Sequence, residues 1–439
     1  MDKKASSRSG HRVRNTVITL TLGAALFTAG AIGLAPNGNT SGAPARPSAP
    51  ARGSLDALQF RVKQMPKDAG AWAALGMAYV QQARSTADPA TYQRAEQALR
   101  RSLAVQHDDN TNAQIGMGAL AAARHDFPTA LDWARQAIRS DPYSSVAYGV
   151  LADAYTQLGH YPASYRAVQR MNDLRPDAPA LARASYTFEL RGDTKQAATL
   201  MHRSLDAAST TGERSFAHTI LSTLALQTGD TRLALREAAT GLRSAPHDSA
   251  LLEARARAQA ASGNTRQAIA DYEAAIDIAP LPHYLLGLGE LQQSLGHKQQ
   301  AEAQYAVLRG QETIRRAGST PADTDAILFE ADHGSPARAV AMAQEALKTR
   351  PFIAVHDAYA WALHQAGRNR EALGQADQAL ALGTRSALYR YHRGVIQHAL
   401  GNNTAARSDL ETALRTEPHF HPQHAATARA LLKRIDTTS

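Results

Sequence analysis

The sequence predicts an all-α protein, an α-solenoid of about ten helix-turn-helix repeats, and three recurring residue types carry that prediction. A small residue returns at intervals of 33 to 38 residues, which is close to the length of two helices and two turns. A glycine stands five residues before most of these positions, and a proline stands twelve residues after six of them. The small residues are Ala95, Ala130, Ser164, Ala197, Ala234, Ala268, Ala301, Ala339, Ala372 and Ala406.

Each recurring residue has a physical role in a pair of antiparallel helices. The glycine supplies the positive φ that ends the first helix, and the small residue in the second helix lets the two backbones approach closely. The proline cannot continue the second helix and therefore separates one repeat from the next. The first helices carry a matching column of small residues, in which Ile327 is an exception. The turn glycines are Gly159, Gly192, Gly229, Gly263, Gly296, Gly334, Gly367 and Gly401.

Residues 1–35 are expected to form a signal or transmembrane segment. Five basic residues within the first 14 positions precede an uncharged run, Thr16–Ala35, that Pro36 ends. A basic flank before an apolar run favours export of everything that follows. Twenty residues can just span a bilayer, and Ala29-Gly30-Ala31 also fits a signal-peptide cleavage site, so both outcomes stay open. Residues 36–53 are dense in Pro, Ala, Gly and Ser and predict a disordered linker.

The repeats resemble the tetratricopeptide repeat family. The first repeat carries Trp72, Leu75, Gly76 and Tyr79, and the third carries Tyr148, Leu151, Ala152, Tyr155, Gly159, Tyr161, Val168 and Pro176. The resemblance covers about residues 69–420 of a predicted array domain, 54–439, and implies a right-handed superhelix whose first helices line a concave groove. Residues 422–435 resemble the capping helix that such arrays need. The arginine- and alanine-rich composition is typical of a bacterial protein from a GC-rich genome.

Composition and motifs exclude several functions. The first 52 residues carry a net charge of +6 and the other 387 only +3, which disfavours a body that binds nucleic acid. Cysteine is absent, so disulfides, thiol chemistry and cysteine-ligated zinc are excluded. The chain contains no phosphate-binding loop, HExxH or GxSxG motif, and we predict neither an enzyme nor a cofactor.

The resemblance also assigns inward-facing positions on the first helices. These are the candidate partner-binding residues Asp153, Thr156, Tyr186, Glu189, Glu253, Arg257, Glu290, Gln293, Trp361, His364, Tyr391 and His398. Because lysine and asparagine are missing from the innermost positions, a chaperone-type carboxylate clamp is disfavoured. Trp361 and Tyr391, with nearby histidines, could form an aromatic-lined pocket for a peptide. Their alternative role is ordinary helix packing.

Three histidines near the C-terminus suggest a metal-binding alternative. Imidazole groups such as those of His419, His421 and His424 can bind Zn²⁺ or Ni²⁺. No cysteine or carboxylate completes the spacing, and prolines surround the cluster, so a solvated turn is favoured over a metal site.

The leading expectation is a non-catalytic scaffold that binds a protein or peptide in its groove outside the cytoplasm. It would be a single-pass membrane protein, or secreted if the N-terminal segment is removed. The alternatives are a cytosolic module of a regulatory or enzyme complex and a histidine-rich, metal-responsive protein. The sequence leaves the partner and the oligomeric state open.

Overall fold

The computed structural model describes residues 54–86, 90–317 and 321–438, and every regular element in those ranges is an α-helix. Helices α2 to α21 form ten consecutive pairs, which we number as repeats one to ten. The predicted segments 1–35 and 36–53 lie outside the described residues. Within the described ranges, no helix combines the length and apolar character needed to cross a bilayer.

The helix bounds follow the predicted period, with one additional helix, α1, ahead of the first repeat. They are α1 Leu55–Gln64, α2 Ala69–Thr86, α3 Ala90–Val105, α4 Thr111–Ala123, α5 Phe127–Ser140, α6 Ser145–Gln157, α7 Tyr161–Leu174, α8 Ala178–Leu190, α9 Thr194–Asp206, α10 Thr211–Gln227, α11 Thr231–Ser244, α12 Ser249–Ala261, α13 Thr265–Ile278, α14 Pro282–Ser294, α15 Lys298–Ala317, α16 Thr324–His333, α17 Pro336–Thr349, α18 Ile353–Gln365, α19 Asn369–Leu380, α20 Ala387–Ala399, α21 Asn403–Thr416 and α22 His424–Thr438.

The ten small residues that define the period are buried, as expected of close helix contacts. All of them are at most 2% exposed. A Cβ atom placed on Gly76 would lie 2.5 Å from Cγ of Leu99, so the first helix of that repeat has no room for a side chain there. Where the facing residue is Ser222, its hydroxyl donates a 2.9 Å hydrogen bond to the carbonyl of Ala234. Small side chains therefore set the helix spacing, as the sequence predicts.

The turn within each repeat uses a left-handed residue in nearly every case. Seven of the eight predicted glycines have φ between 71° and 83°. Gly334 is the exception, with φ of −137°. Its turn is held by the Glu330 carboxylate, which accepts a 2.6 Å hydrogen bond from the backbone N–H of Ser335 and fills the space that a Cβ on Gly334 would need. A side chain at position 334 would therefore have to move the Glu330 carboxylate, whereas the turn does not need a positive φ there.

The C-terminal helix α22 caps the array, as predicted, although it begins at His424 and not at residue 422. Its Ala428, Leu431 and Ile435 are buried in the same apolar cluster as side chains of repeats eight to ten. Ile327, the residue that breaks the small column, is fully buried in this cluster too. The cap therefore covers apolar surface that the last repeat would otherwise expose.

The array is wound tightly enough for repeats distant in sequence to touch. The Tyr161 hydroxyl accepts a 3.0 Å hydrogen bond from the backbone N–H of Ile353. One repeat further along, the Thr384 hydroxyl donates a 2.5 Å hydrogen bond to the carbonyl of Leu190. These contacts join repeats three and four to the start of repeat nine and to the loop that follows it.

Candidate functional site

The first helices of repeats seven to ten each contact the next one, and together with α12 of repeat six they carry polar and aromatic side chains that we call the inner face. It includes Glu253 of α12, Glu290 of α14, Asp332 of α16, Trp361 of α18 and Tyr391 of α20. A row of first helices generates this surface because each repeat contributes the same helix at the same register.

Trp361 is the centre of an aromatic cluster on the inner face. Its indole N–H donates a 2.8 Å hydrogen bond to Asp332, and its ring stacks 4.3 Å from that of His392. Tyr391 lies 5.8 Å away and His364 lies 5.1 Å away, measured between ring centroids. The predicted neighbours are therefore brought together. However, Trp361 is 3% exposed and Tyr391 2% exposed, so the cluster is filled by its own side chains and is not an open pocket.

Glu290 is an acidic anchor for histidines from two other elements. Its carboxylate lies 2.9 Å from Nε2 of His421 and 3.8 Å from Nε2 of His333. Burial opposes ionisation of Glu290, but the electrostatic attraction of His421 and hydrogen bonds from both histidines hold its pKa well below the usual range. Glu290 is therefore an anionic group on a largely enclosed surface.

A second charged group lies on α12. Arg257 approaches Glu253 to 3.8 Å and interacts electrostatically with Glu417, which follows α21. Burial raises the pKa of Glu253, with Arg257 opposing, and burial raises the pKa of Glu417 to about 7 against the same opposing charge. One guanidinium thus faces two half-buried acids that titrate above their ordinary range.

The two candidates in repeat three take part in contacts between helices. Asp153 forms a bidentate ion pair with Arg183 of the next repeat, at 2.7 and 2.9 Å. Thr156 is buried against the second helix of its own repeat, where its hydroxyl lies 2.6 Å from that of Ser164. Each of these side chains already has a partner within the array.

Glu189 and Tyr186, the candidates on α8 of repeat four, are half-buried and titrate above their ordinary ranges. Glu189 accepts a 2.9 Å hydrogen bond from the Gln227 amide, and burial raises its pKa despite that bond. Burial also raises the pKa of Tyr186, with the charge of Glu189 and the hydroxyl of Tyr389 adding to the effect. Tyr389, from repeat ten, was not among the predicted residues.

The remaining candidates serve the turns and the second helices. Gln293 accepts a 2.8 Å hydrogen bond from the Tyr305 hydroxyl. His398 Nδ1 lies 2.8 Å from the side-chain oxygen of Asn403, and His364 has the same contact at 2.7 Å with Asn369. Partner contact by any of the twelve residues stays a prediction.

Several inner-face residues escaped the sequence reasoning. Burial and the neighbouring Asp323 raise the pKa of Asp325 to about 8. Asp332, His333 and Glu417 likewise belong to the site. Their role depends on side chains that are distant in sequence, and the repeat pattern carries no signal for such contacts.

The C-terminal histidines take different positions. His419 is exposed, whereas His421 and His424 stack 4.0 Å apart between ring centroids and face Glu290 and Asp332. Within residues 54–86, 90–317 and 321–438, no group of three or more His, Asp or Glu side chains is arranged to hold a metal ion.

Comparison with known proteins identifies the repeat. A tetratricopeptide repeat family model matches residues 221–282 and 358–422. Together with the ten helix pairs and their period, this match defines the class of protein. The chain is a tetratricopeptide repeat protein. No curated protein matches the sequence significantly.

Solved structures give weak overall likenesses. A tetratricopeptide repeat protein from Parabacteroides merdae is 19% identical over 59% of this chain and 98% of its own, with a TM-score of 0.35. The human IFIT1 dimer with PPP-AAAA is 14% identical over 83% and 94%, with a TM-score of 0.44. The APC/C hetero-tetramer Cut9-Hcn1 is 13% identical over 87% and 92%, with a TM-score of 0.39. These values support no statement about a ligand.

Proposed function

We propose that this protein is a non-catalytic scaffold that holds a protein or peptide partner on its inner face. The observation that carries the proposal is the row of first helices bearing Glu253, Arg257, Glu290, Trp361 and Tyr391. Tryptophan, tyrosine and arginine are the side chains that most often dominate the binding energy of a protein interface.

Binding would rely on shape and charge, without covalent chemistry. A surface built from packed helices is already ordered, so a partner meets it without the entropy cost of organising flexible loops. Glu290 and Arg257 offer opposite charges along one face, which favours a partner with a complementary charge order.

We also propose that the scaffold works outside the cytoplasm, tethered by residues 1–35 through the linker 36–53. Basic residues before the uncharged run Thr16–Ala35 support this orientation. Membrane fractionation and N-terminal sequencing of the mature protein would separate an anchored from a cleaved form. Full-length protein in the cytosol would instead favour the cytosolic alternative.

The test of binding compares the loss of a charged side chain on the inner face with the loss of an exposed one on a second helix. Residues 54–439 would be used to capture proteins from a cell-envelope extract, and the affinity of a captured partner would be measured at equilibrium. Arg257→Gln should weaken binding about tenfold or more, because a half-buried charge contacts the partner. Arg139→Gln, at an exposed position on α5, should leave the affinity unchanged. Equal effects of the two substitutions would contradict an inner-face site, and failure to capture any partner would contradict the scaffold function.

A further inference from the structure

Residues 417–424, from the end of α21 to the first residue of α22, cross from the end of the array to an inner-face helix more than 120 residues earlier. We call this segment the C-terminal turn. Nε2 of His421 lies 2.9 Å from the Glu290 carboxylate, and the Gln423 amide donates a 3.4 Å hydrogen bond to the Glu290 backbone carbonyl. A helix that only covered the last repeat would need neither contact, since Glu290 belongs to repeat seven.

The turn has a second anchor on repeats eight to ten. Nε2 of His424 lies 3.8 Å from Asp332, and its ring stacks 4.8 Å from Tyr391. Phe420 lies 5.5 Å from the same tyrosine ring. The turn therefore covers the aromatic cluster around Trp361, whose ring centroid is 5.4 Å from that of His424.

His421 is held by both of its ring nitrogens. Its Nδ1 accepts hydrogen bonds from the backbone N–H groups of Gln423 and His424, both at 3.2 Å, which assigns the ring proton to Nε2. That proton is the one that Glu290 accepts. The same imidazole thus shapes the turn and attaches it to the inner face.

The turn and helix α22 are attached by different forces. Helix α22 buries Ala425, Ala428, Leu431 and Ile435 in the core. In the turn, by contrast, His419 and Pro422 are exposed and the other side chains are half-buried, with polar and ring contacts as the attachments. Undocking α22 would expose more apolar surface than releasing the turn, because the core cluster holds Ala428, Leu431 and Ile435 of α22 but only Phe420 of the turn.

We propose that the C-terminal turn is a built-in occupant of the inner face, which a partner must displace while α22 stays docked. The inference rests on the proposed function, since the turn contacts Glu290 and Tyr391, two residues expected to meet a partner. Displacement frees Glu290, Asp332 and the aromatic cluster together. The Glu290–His421 contact is the main latch.

Amide hydrogen exchange of the full chain tests the proposal without any partner. His421→Ala and Glu290→Gln should each speed exchange in residues 417–424 about tenfold or more, because each removes a charge-assisted hydrogen bond. Exchange in residues 429–438, whose amides do not bond to the turn, should stay unchanged. His419→Ala, an exposed position in the same turn, should behave as the wild type.

Unchanged exchange of the turn in both latch variants would overturn the proposal. So would an equal acceleration in residues 429–438, because the turn would then be only the start of the cap. Since no partner enters the measurement, its failure is distinct from failure of the scaffold function. A released turn in a chain that captures nothing would contradict the scaffold function alone.

Discussion

His125 shows how one residue can serve both a turn and a long-range contact. It occupies the position in repeat two that glycine holds in most other repeats, and its φ is +61°. That conformation costs a non-glycine residue about 1 kcal/mol or more. The ring is buried, and its Nδ1 lies 3.3 Å from Nη1 of Arg350 in the loop after repeat eight. The sequence places a turn here, but the contact 225 residues away leaves no mark in the repeat pattern.

The low pKa of His125 predicts that the folded state loses stability as the pH falls. Burial and the charge of Arg350 lower its pKa from 6.5 to about 3. A histidine held neutral stabilises the fold above its unfolded pKa, and that contribution is lost as the pH falls from 6.5 towards 3. Between pH 7.5 and pH 5 the wild type should therefore lose about 2 kcal/mol more unfolding free energy than His125→Gly.

Urea unfolding at several pH values would measure this difference. The exposed His419 provides the control, and His419→Gly should follow the wild type. Parallel pH profiles for the wild type and His125→Gly would show that His125 is not held neutral in the fold.

At the scale of the helix pair, the sequence is a good guide because the forces are local. Close packing needs small residues at fixed positions, and all ten are buried. The pattern missed α1, Leu55–Gln64, which precedes the first repeat and has no counterpart in the period. It also assigned Gly334 a positive φ, which the Glu330 carboxylate makes unnecessary. The repeat period cannot predict a turn that is held by a side-chain hydrogen bond and not by a positive φ.

Two turn glycines form a matched pair that separates local strain from contact between distant repeats. Gly192 and Gly263 have φ of 78° and 80°. A Cβ atom on Gly192 would overlap the carbonyl oxygen of Gly383, whereas nothing lies within 4 Å of a Cβ on Gly263. Both alanine substitutions should cost about 1 kcal/mol for the left-handed backbone, and Gly192→Ala about 1–3 kcal/mol more for the overlap.

Thermal and urea unfolding of the two variants would give that difference directly. Equal losses of stability would mean that the loops of repeats four and nine do not touch.

At the scale of the whole molecule, the winding decides what the inner face can do. The period predicts a stacked array and, through the family resemblance, a concave groove. It does not predict how far the array curls, because small rotations between repeats accumulate over the whole chain. The curl brings Glu417 towards Arg257 and His421 to Glu290, so the groove is partly filled by the protein itself. The candidate residues follow from their register within the repeats, whereas the side chains that pack against them are known only from the structure.

The absence of cysteine from the sequence makes a distance measurement straightforward. Lys195 and Arg385 are exposed and lie within three residues of Gly192 and Gly383, respectively, whose loops touch. Cysteines introduced at these two positions would carry spin labels, and double electron–electron resonance would measure the distance between the labels. The wound array predicts one narrow, short distance that urea abolishes. A broad distribution of label distances, or a distance several times the spacing between packed helices, would contradict the winding on which the inner face depends.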